Sequence, residues 1–442
     1  MSKTSTWIKV RKFLNDIHLW GGLIAGIIVF IVCLTGTIYV YNTEIREAAI
    51  PEYYKVTKTA ERISPDEILA LNKQRIDGKI VGMKIPFQEE RTYTILFNKK
   101  KEKSSEVNER GGKPLDSERN SGATASNINN VKKPEALKAA PAPAGPGRGP
   151  RANQMMVNPF TGRIIGDVSE VKTRTANFMQ IMFGLHRWLL LNEIEKPIVE
   201  GIENRKLGSW ISGTATILFT IGVITGIAIW FPRKIRGWKK GLKIRWSASW
   251  KRLNHDLHNT LGFYSCIVLF IMGITGPYFS FDWYRASWQK TLGTYQDPLA
   301  PKAEKPVLAS AYQETTSITL AEAIAITNQV LNYDGDITIN FPKDSVGTLN
   351  ISKNKVGFFA PSASDKLVLD QYSGDVIEKD IFKEKPFNER ASASIKALHL
   401  GDIYGPFSKI IYFISCLIAT SLPVTGVLIW VNKMKKKPSK IK

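Results

Sequence analysis

The segment RLNHDLHNTLGFYSCIVLFIMGITGPYFSFDWYR, residues 252–285, predicts how the whole chain is built. Two histidines, His255 and His258, precede an apolar run that ends near Thr275. An apolar run of about 20 residues is long enough to cross a bilayer as a helix. The segment NDIHLWGGLIAGIIVFIVCLTG, residues 15–36, follows the same plan. A histidine at the entrance of a predicted membrane helix therefore occurs twice.

The two segments align without a gap. The alignment superposes the following pairs: Asp16 on Asp256, His18 on His258, Gly22 on Gly262, and Thr35-Gly36 on Thr275-Gly276. Four apolar runs predict four transmembrane helices, at residues 21–41, 207–231, 261–281 and 410–431. None of these runs contains Asp, Glu, Lys or Arg, as a lipid-facing helix requires. The sequence therefore predicts an α-helical integral membrane protein.

The formal net charge of +22 is concentrated beside the predicted spans. By the positive-inside rule, the basic N-terminal segment 1–20, the loop 232–260 and the tail 432–442 face the cytoplasm. The long segments 42–206 and 282–409 then face outward, on the other side of the membrane. Because the basic residues flank spans and form no recognisable groove-binding fold, the expected partner is the lipid bilayer and not nucleic acid.

Each outer segment predicts a small α+β domain. In the first, Ser64 followed by Pro65 and Glu67 marks the start of a helix. Alternation of apolar and polar residues then predicts two strands within residues 81–97. Residues 100–151 are first charged and then rich in Gly, Pro, Ala, Ser and Asn, a composition typical of a disordered insertion.

Order resumes with NPFTGRIIG, residues 158–166, which predicts a turn between two short strands. Residues 178–191 predict an amphipathic segment at the membrane interface. The second outer segment repeats helix, strands and turn, ending in DQYSGDVI at residues 370–377, without the large insertion. The predicted fold is thus an internal duplication of helix, outer domain and helix.

These motifs resemble the PepSY-associated transmembrane family. The resemblance rests on the His-x-x-x-Gly helix entries, the Thr-Gly pair near the end of every span, the two outer turn motifs, and Leu-His before the second and fourth spans. It covers nearly the whole chain, and the insertion at 100–151 is the main departure. It implies PepSY-like outer domains, and it implies kinship with iron-regulated inner-membrane proteins and ferric-siderophore reductases that carry b-type haem.

All five histidines lie beside predicted spans. His18, His255 and His258 fall on the cytoplasmic side, and His186 and His399 on the outer side. Two neutral imidazoles on opposing helices are a common way to hold haem iron from both axial positions. The sequence has no Cys-x-x-Cys-His motif, so the expected cofactor is haem b.

The repeat pairs His18 with His258, and His186 with His399, as ligands of two haem irons. A histidine at one face of the membrane lies about 27 Å from the other end of its helix and cannot share a haem with a histidine there. The alternative is that these are interfacial histidines whose polar edges reach the headgroup region.

Other residues near the predicted sites each have more than one possible role. His255 is predicted to contact a haem propionate, to support His258, or to replace it as a ligand. Arg187, next to His186, is predicted to pair with an outer propionate or to reach the headgroups as a surface cation. Asp16 and Asp256 are predicted either to orient an imidazole or to cap a helix.

The four Thr-Gly pairs have two interpretations. They allow either close helix packing or the approach of a porphyrin edge. They occur at Thr35-Gly36, Thr225-Gly226, Thr275-Gly276 and Thr425-Gly426.

The expected function is outward electron transfer, from a cytoplasmic electron donor through two haems to a ferric chelate such as a ferric siderophore. One alternative is a membrane module without enzymatic activity, whose outer domains bind a protein or peptide. A second is a permease subunit for the chelate. The spans lack charged residues and have few Gly or Pro breaks suited to a site at mid-membrane, which disfavours the permease.

Overall fold

The computed structural model describes residues 3–99, 152–231, 238–297, 308–311 and 316–435. The predicted insertion at 100–151 lies outside the described residues. The α-helices are α1 (Lys3–Tyr39), α2 (Asn42–Ala49), α3 (Pro51–Tyr54), α4 (Pro65–Asn72), α5 (Arg174–Trp188), α6 (Asn204–Trp230), α7 (Trp238–Gly241), α8 (Trp250–Thr275), α9 (Asp282–Thr291), α10 (Leu320–Val330), α11 (Phe387–Leu400) and α12 (Gly405–Met434). The strands are β1 (Lys79–Ile85), β2 (Tyr93–Asn98), β3 (Asn153–Val157), β4 (Ile164–Asp167), β5 (Gly335–Asn340), β6 (Thr348–Lys355), β7 (Ser364–Asp370) and β8 (Val376–Asp380).

Four helices, α1, α6, α8 and α12, are long and apolar enough to cross a membrane, and each corresponds to one predicted span. They form a ring in which α1 packs on α6, α6 on α8, α8 on α12, and α12 on α1. The connections α1–α6 and α8–α12 carry the strands, so we call that end of the bundle the sheet side. The opposite end, which carries the two chain termini and the α6–α8 loop, is the terminal side.

The helices extend beyond the apolar runs that predict them. α1 begins at Lys3 and not near residue 21, and α8 begins at Trp250 and not at 261. His18 and His258 therefore lie inside continuous helices, although each still comes just before the apolar run of its span. An apolar run marks only the part of a helix that lipid requires to be apolar, whereas the backbone hydrogen bonds continue into polar sequence.

One antiparallel sheet of eight strands, in the order β4-β3-β2-β1-β5-β6-β7-β8, contains strands from both outer segments. The sequence predicts two small domains, but β1 pairs with β5 from Gly82–Asn340 to Ile85–Ile337 and joins them. This pairing covers the open edges that β1 and β5 would otherwise present to other chains. The two outer lobes therefore form one continuous unit.

The sheet has its core on the face covered by α4 and α10. Met83, Ile95, Ile339 and Leu369 are fully buried there, and the two helices pack on the same cluster. Ser64 caps α4 as predicted, because its side chain accepts a hydrogen bond from the backbone N–H of Glu67. The core thus spans both halves of the chain.

Candidate functional site

Histidines on α1 and α8, the first and third spans, face each other across the ring of four helices. His18 of α1 and His258 of α8 have ring centroids 6.1 Å apart, with the ring planes at 84°. They lie toward the terminal side, since each is within the first part of a helix that starts there. The two residues belong to opposite halves of the chain and come together only because α1 and α8 are diagonal in the ring.

A second pair lies on the sheet side. His186 of α5 and His399 of α11 have ring centroids 6.2 Å apart. Each of these short helices precedes a span, α6 or α12, and packs against the bundle. The predicted interfacial segment 178–191 is thus largely the helix α5, and it presents a histidine to the bundle interior.

Every one of these four imidazoles contacts the threonine of a Thr-Gly pair through its Nδ1 atom. The contacts are His18 with Thr225 at 3.3 Å, His186 with Thr35 at 3.5 Å, His258 with Thr425 at 2.9 Å, and His399 with Thr275 at 3.0 Å. In the first two, Nδ1 is also hydrogen-bonded to a backbone carbonyl three residues before the threonine, at Gly222 and Val32. We call each Thr-Gly pair, with the ring that rests on it, an imidazole seat.

The seats determine which ring nitrogen carries the proton. The Thr425 hydroxyl donates its proton to the Ser421 carbonyl one helical turn earlier, so its oxygen can only accept from His258. Thr275 does the same with the Ile271 carbonyl. In the other two seats a backbone carbonyl accepts from Nδ1 directly. Each ring therefore has its proton on Nδ1, and its Nε2 lone pair stays free to bind a metal.

The glycine of each seat lies directly against the ring. A Cβ added to Gly36 would lie 3.0 Å from Cε1 of His186, and one on Gly226 would lie 3.2 Å from Cε1 of His18. The corresponding distances are 3.5 Å from Gly276 to His399 and 3.4 Å from Gly426 to His258. At Gly36 and Gly226, glycine thus lets the imidazole approach the helix backbone more closely than a Cβ would allow, whereas a Cβ at Gly276 or Gly426 would make ordinary van der Waals contact with the ring.

Sequence reasoning noticed the Thr-Gly pairs but predicted helix packing or porphyrin contact for them, and it missed their contact with histidine. A signal was present in the sequence. The sequence has four Thr-Gly pairs, one for each of the four paired histidines, and each Thr-Gly pair lies near the end of a span. What the sequence could not show is which span carries the seat of which histidine.

A cavity of about 210 Å³ opens beside the sheet-side pair. Apolar side chains of the spans, among them Val29, Phe219 and Met272, form most of its wall, together with both histidines. Two cationic residues, Arg187 and Lys396, also line it. The lining suits a largely apolar ligand that carries negative charge.

Arg187 is unusual among the cations of this region. Its Nη2 donates to the Phe279 carbonyl at 3.4 Å, and its buried Nε has no hydrogen-bond partner among the described residues. Burial lowers the pKa of this guanidinium, and Arg205 and Arg285 nearby lower it further. A buried cation with a free donor beside a cavity is a binding position for an anionic group.

The sheet-side imidazoles are neutral. Burial, followed by the neighbouring His186, lowers the pKa of His399 to about 3. Burial is also the main cause that lowers the pKa of His186, and the nearby Arg187 adds to it. Neutral rings are the form in which histidine binds metals.

His255 does not join either pair. Its side chain is 46% exposed, and its ring is hydrogen-bonded to the Asn259 side chain. Asp256 is buried and pairs with Arg252 at 2.8 Å and with Arg245 at 3.5 Å, so it ties the α6–α8 loop to α8. The prediction that Asp256 caps a helix is wrong, because it lies inside α8. Its carboxylate also lies 3.8 Å from Nδ1 of His255, so the imidazole beside it is the one that belongs to neither pair. Asp16 is exposed and also lies inside a helix.

The spacing within each pair can be compared with that of two imidazoles on one metal ion. With a metal–nitrogen bond of about 2 Å and the ring radius added on each side, the two centroids would be about 6 Å apart. Both observed separations agree with this value. The neutral rings, the free Nε2 atoms and the cavity with its buried cation therefore fit a haem held from both faces.

The fold and the site define a class: a four-helix membrane protein with one histidine pair toward each side of the bundle. The chain belongs to the PepSY-associated transmembrane family, since the family model for the PepSY-associated TM region matches residues 16–433. The match includes all five histidines and all four Thr-Gly pairs. A comparison with curated proteins gives no match.

Proposed function

We propose that this protein is an inner-membrane electron-transfer protein that binds two b-type haems and reduces a ferric chelate on the sheet side. The observation that carries the proposal is the arrangement of the histidines. Two neutral imidazole pairs, each with the spacing of a shared metal ion, lie toward opposite sides of one transmembrane bundle. Two redox sites arranged in this way suit transfer of electrons across the membrane.

Each residue of the site has a defined task in this proposal. His18 and His258 hold one haem iron, and His186 and His399 hold the other. Arg187 and Lys396 bind the propionates of the sheet-side haem. A bound haem supplies reversible one-electron chemistry at its iron. The imidazole seats keep the rings oriented, and the apolar cavity wall excludes water from the ligated iron.

The orientation follows from charge. Basic residues flank the spans on the terminal side, so both termini and the α6–α8 loop face the cytoplasm and the sheet lies in the periplasm. Similar plans in the two halves, each with two spans, one outer helix on the sheet and four strands, support an origin by internal duplication. Among the described residues of this loop, Lys239, Lys243 and Arg245 are exposed and would offer a docking surface for an acidic cytoplasmic electron donor.

The proposed substrate is a ferric siderophore or a similar ferric chelate. A haem held by His186 and His399 would supply the one electron that reduces Fe(III) of the chelate to Fe(II). A cytoplasmic donor would replace that electron by way of a haem held by His18 and His258. Hard oxygen ligands hold Fe(II) less tightly than Fe(III), so reduction releases the iron.

The test is an absorption spectrum of the protein purified in detergent from haem-replete cells, oxidised and then reduced with dithionite. We expect a red protein whose reduced bands are those of a six-coordinate b-type haem, and a pyridine haemochrome assay should give two haems per chain. Colourless protein would refute the proposal and favour a binding module without a cofactor. A single haem per chain would refute the two-site arrangement.

A further inference from the structure

The turn between β6 and β7 carries an exposed aromatic cluster. The rings of Phe358, Phe359 and Phe407 have centroids 4.9–5.3 Å apart. Phe359 is 69% exposed and Phe358 is 49% exposed, although both side chains are fully apolar. In water such a surface would be unfavourable, since burying a phenylalanine side chain contributes stability.

This turn is attached to the beginning of a membrane span. The backbone N–H of Ser362 donates to the Ile403 carbonyl at 3.1 Å. Gly405, the first residue of α12, has φ +58° and approaches the turn so closely that a Cβ there would lie 3.1 Å from the Gly357 carbonyl oxygen. The hairpin tip and the start of α12 are therefore held together by backbone contacts.

Phe407, the third member of the cluster, belongs to α12 itself. Two residues further along the same helix, Lys409 pairs with Glu44 at 2.5 Å and lies over the ring of Tyr41. An ion pair on a spanning helix marks the level at which the helix leaves the hydrocarbon. Phe407 is 37% exposed near the start of α12, so the aromatic cluster continues the exposed apolar surface of the span at its sheet-side end.

We propose that the tip of the β6–β7 hairpin, residues 356–360, inserts Phe358 and Phe359 into the interface of the leaflet on the sheet side. The occupant of this surface is lipid, because the patch continues the surface of a membrane helix and consists of aromatic side chains, which favour the interface. The anchor ties the second half of the sheet to the membrane at a fixed height. It also braces the turn between α11, which carries His399, and α12.

Site-directed spin labelling tests the insertion. The label is placed at Phe359→Cys in a chain whose native cysteines, Cys33, Cys266 and Cys416, are replaced by Ala. Val346→Cys is the matched control: it is 50% exposed in the turn between β5 and β6, at the other end of strand β6, roughly 25 Å away. Both proteins are placed in nanodiscs of phosphatidylethanolamine and phosphatidylglycerol, and collisions with oxygen and with a water-soluble nickel chelate are measured.

We expect the label at 359 to collide more with oxygen and at least several-fold less with the nickel chelate than the label at 346. Equal access of the nickel chelate at both positions would overturn the proposal and assign the patch to a protein partner. If the cysteine-free chain does not fold, the native chain is placed in bilayers that contain photoactivatable phosphatidylethanolamine, and the residues crosslinked to lipid are identified. Lipid adducts should then map to residues 356–360 and not to the turn at 346, and the reverse pattern would refute insertion.

Discussion

A threonine hydroxyl has a single proton, and in all four spans that proton goes to a backbone carbonyl one turn earlier. The oxygen that remains can only accept a hydrogen bond, and in each case a histidine Nδ1 lies beside it. At the scale of single residues, a helix thus selects the tautomer of a histidine on another helix. This selection matters because metal binding needs the lone pair on Nε2.

His258→Ala removes one imidazole of the terminal-side pair, which we propose to hold a haem. We expect loss of about half of the bound haem, with the sheet-side signal retained, because the two pairs lie toward opposite sides of the bundle. The measurement is haem content together with low-temperature electron paramagnetic resonance. His255→Ala is the control and should retain both signals, since that ring is exposed and bonded to Asn259. Equal loss of both signals in His258→Ala would contradict the assignment.

Thr425→Val removes the hydrogen bond to His258 and keeps the size of the side chain. The lost hydrogen bond is worth about 0.5–1.5 kcal/mol, and we expect a shifted reduction potential and altered resonance of the terminal-side haem. Thr425→Ser should restore the wild-type values.

The control for the threonine change is Thr220→Val. The Thr220 hydroxyl also donates to a carbonyl one turn earlier, that of Thr216, but among the described residues no histidine is hydrogen-bonded to it. If Thr220→Val and Thr425→Val change the haem equally, the effect comes from helix packing and not from the seat.

At the scale of helices, each Thr-Gly pair brings two elements into close contact. Gly36 of α1 lies against the ring of His186 on α5, and Gly276 of α8 lies against the ring of His399 on α11. The seats therefore join elements within one half of the chain: α1 with α5 and α6, and α8 with α11 and α12. Because side chains in a packed interior have little free space, a methyl group added at Gly36 or at Gly226 must move the ring beside it.

Gly36→Ala tests the seat at this scale. The new Cβ would lie 3.0 Å from the His186 ring, closer than ordinary contact, so the imidazole must shift. We expect a cost of about 1–3 kcal/mol and reduced occupancy of the sheet-side haem. Gly22→Ala is the matched control on the same helix, since a Cβ there meets no atom within 4 Å. Its haem content and melting temperature should stay at the wild-type level, and unchanged haem in Gly36→Ala would refute the steric role.

At the scale of the molecule, the two halves meet both in the helix bundle and in the sheet. In the bundle α1 packs on α12 and α6 on α8, and in the sheet β1 pairs with β5. A further contact between the halves is made by Asp66 of α4, whose two carboxylate oxygens accept from the backbone N–H groups of Leu320 and Ala321 at the start of α10. One half of the chain thus caps a helix of the other.

Asp66→Ala leaves those two N–H groups without their carboxylate. We expect a loss of about 1–2 kcal/mol in the stability of the sheet unit, because a charged cap at a helix N-terminus satisfies free donors. Thermal unfolding of the purified protein measures it. Glu67→Ala, at the exposed neighbouring position, is the control and should lower the melting temperature less. If the two changes lower the melting temperature equally, the hydrogen bonds from Leu320 and Ala321 to Asp66 do not contribute to the stability of the sheet unit.

The amino-acid sequence alone predicted the four spans, the helices and strands of the outer segments, and the five histidines as the residues to consider. These follow from local properties, namely apolar length, alternation and turn residues, which are visible in any short window. The helix starts were missed, since polar sequence at α1 and α8 continues a helix without any apolar signal.

The tertiary structure decided which Thr-Gly pair contacts each imidazole, and that the two outer lobes share one sheet. The histidine pairs were predicted from the internal repeat, and the packing of the helices sets the distance between their ring centroids, 6.1 and 6.2 Å. The physical reason is distance along the chain, because a local pattern carries no information on which remote element will pack beside it.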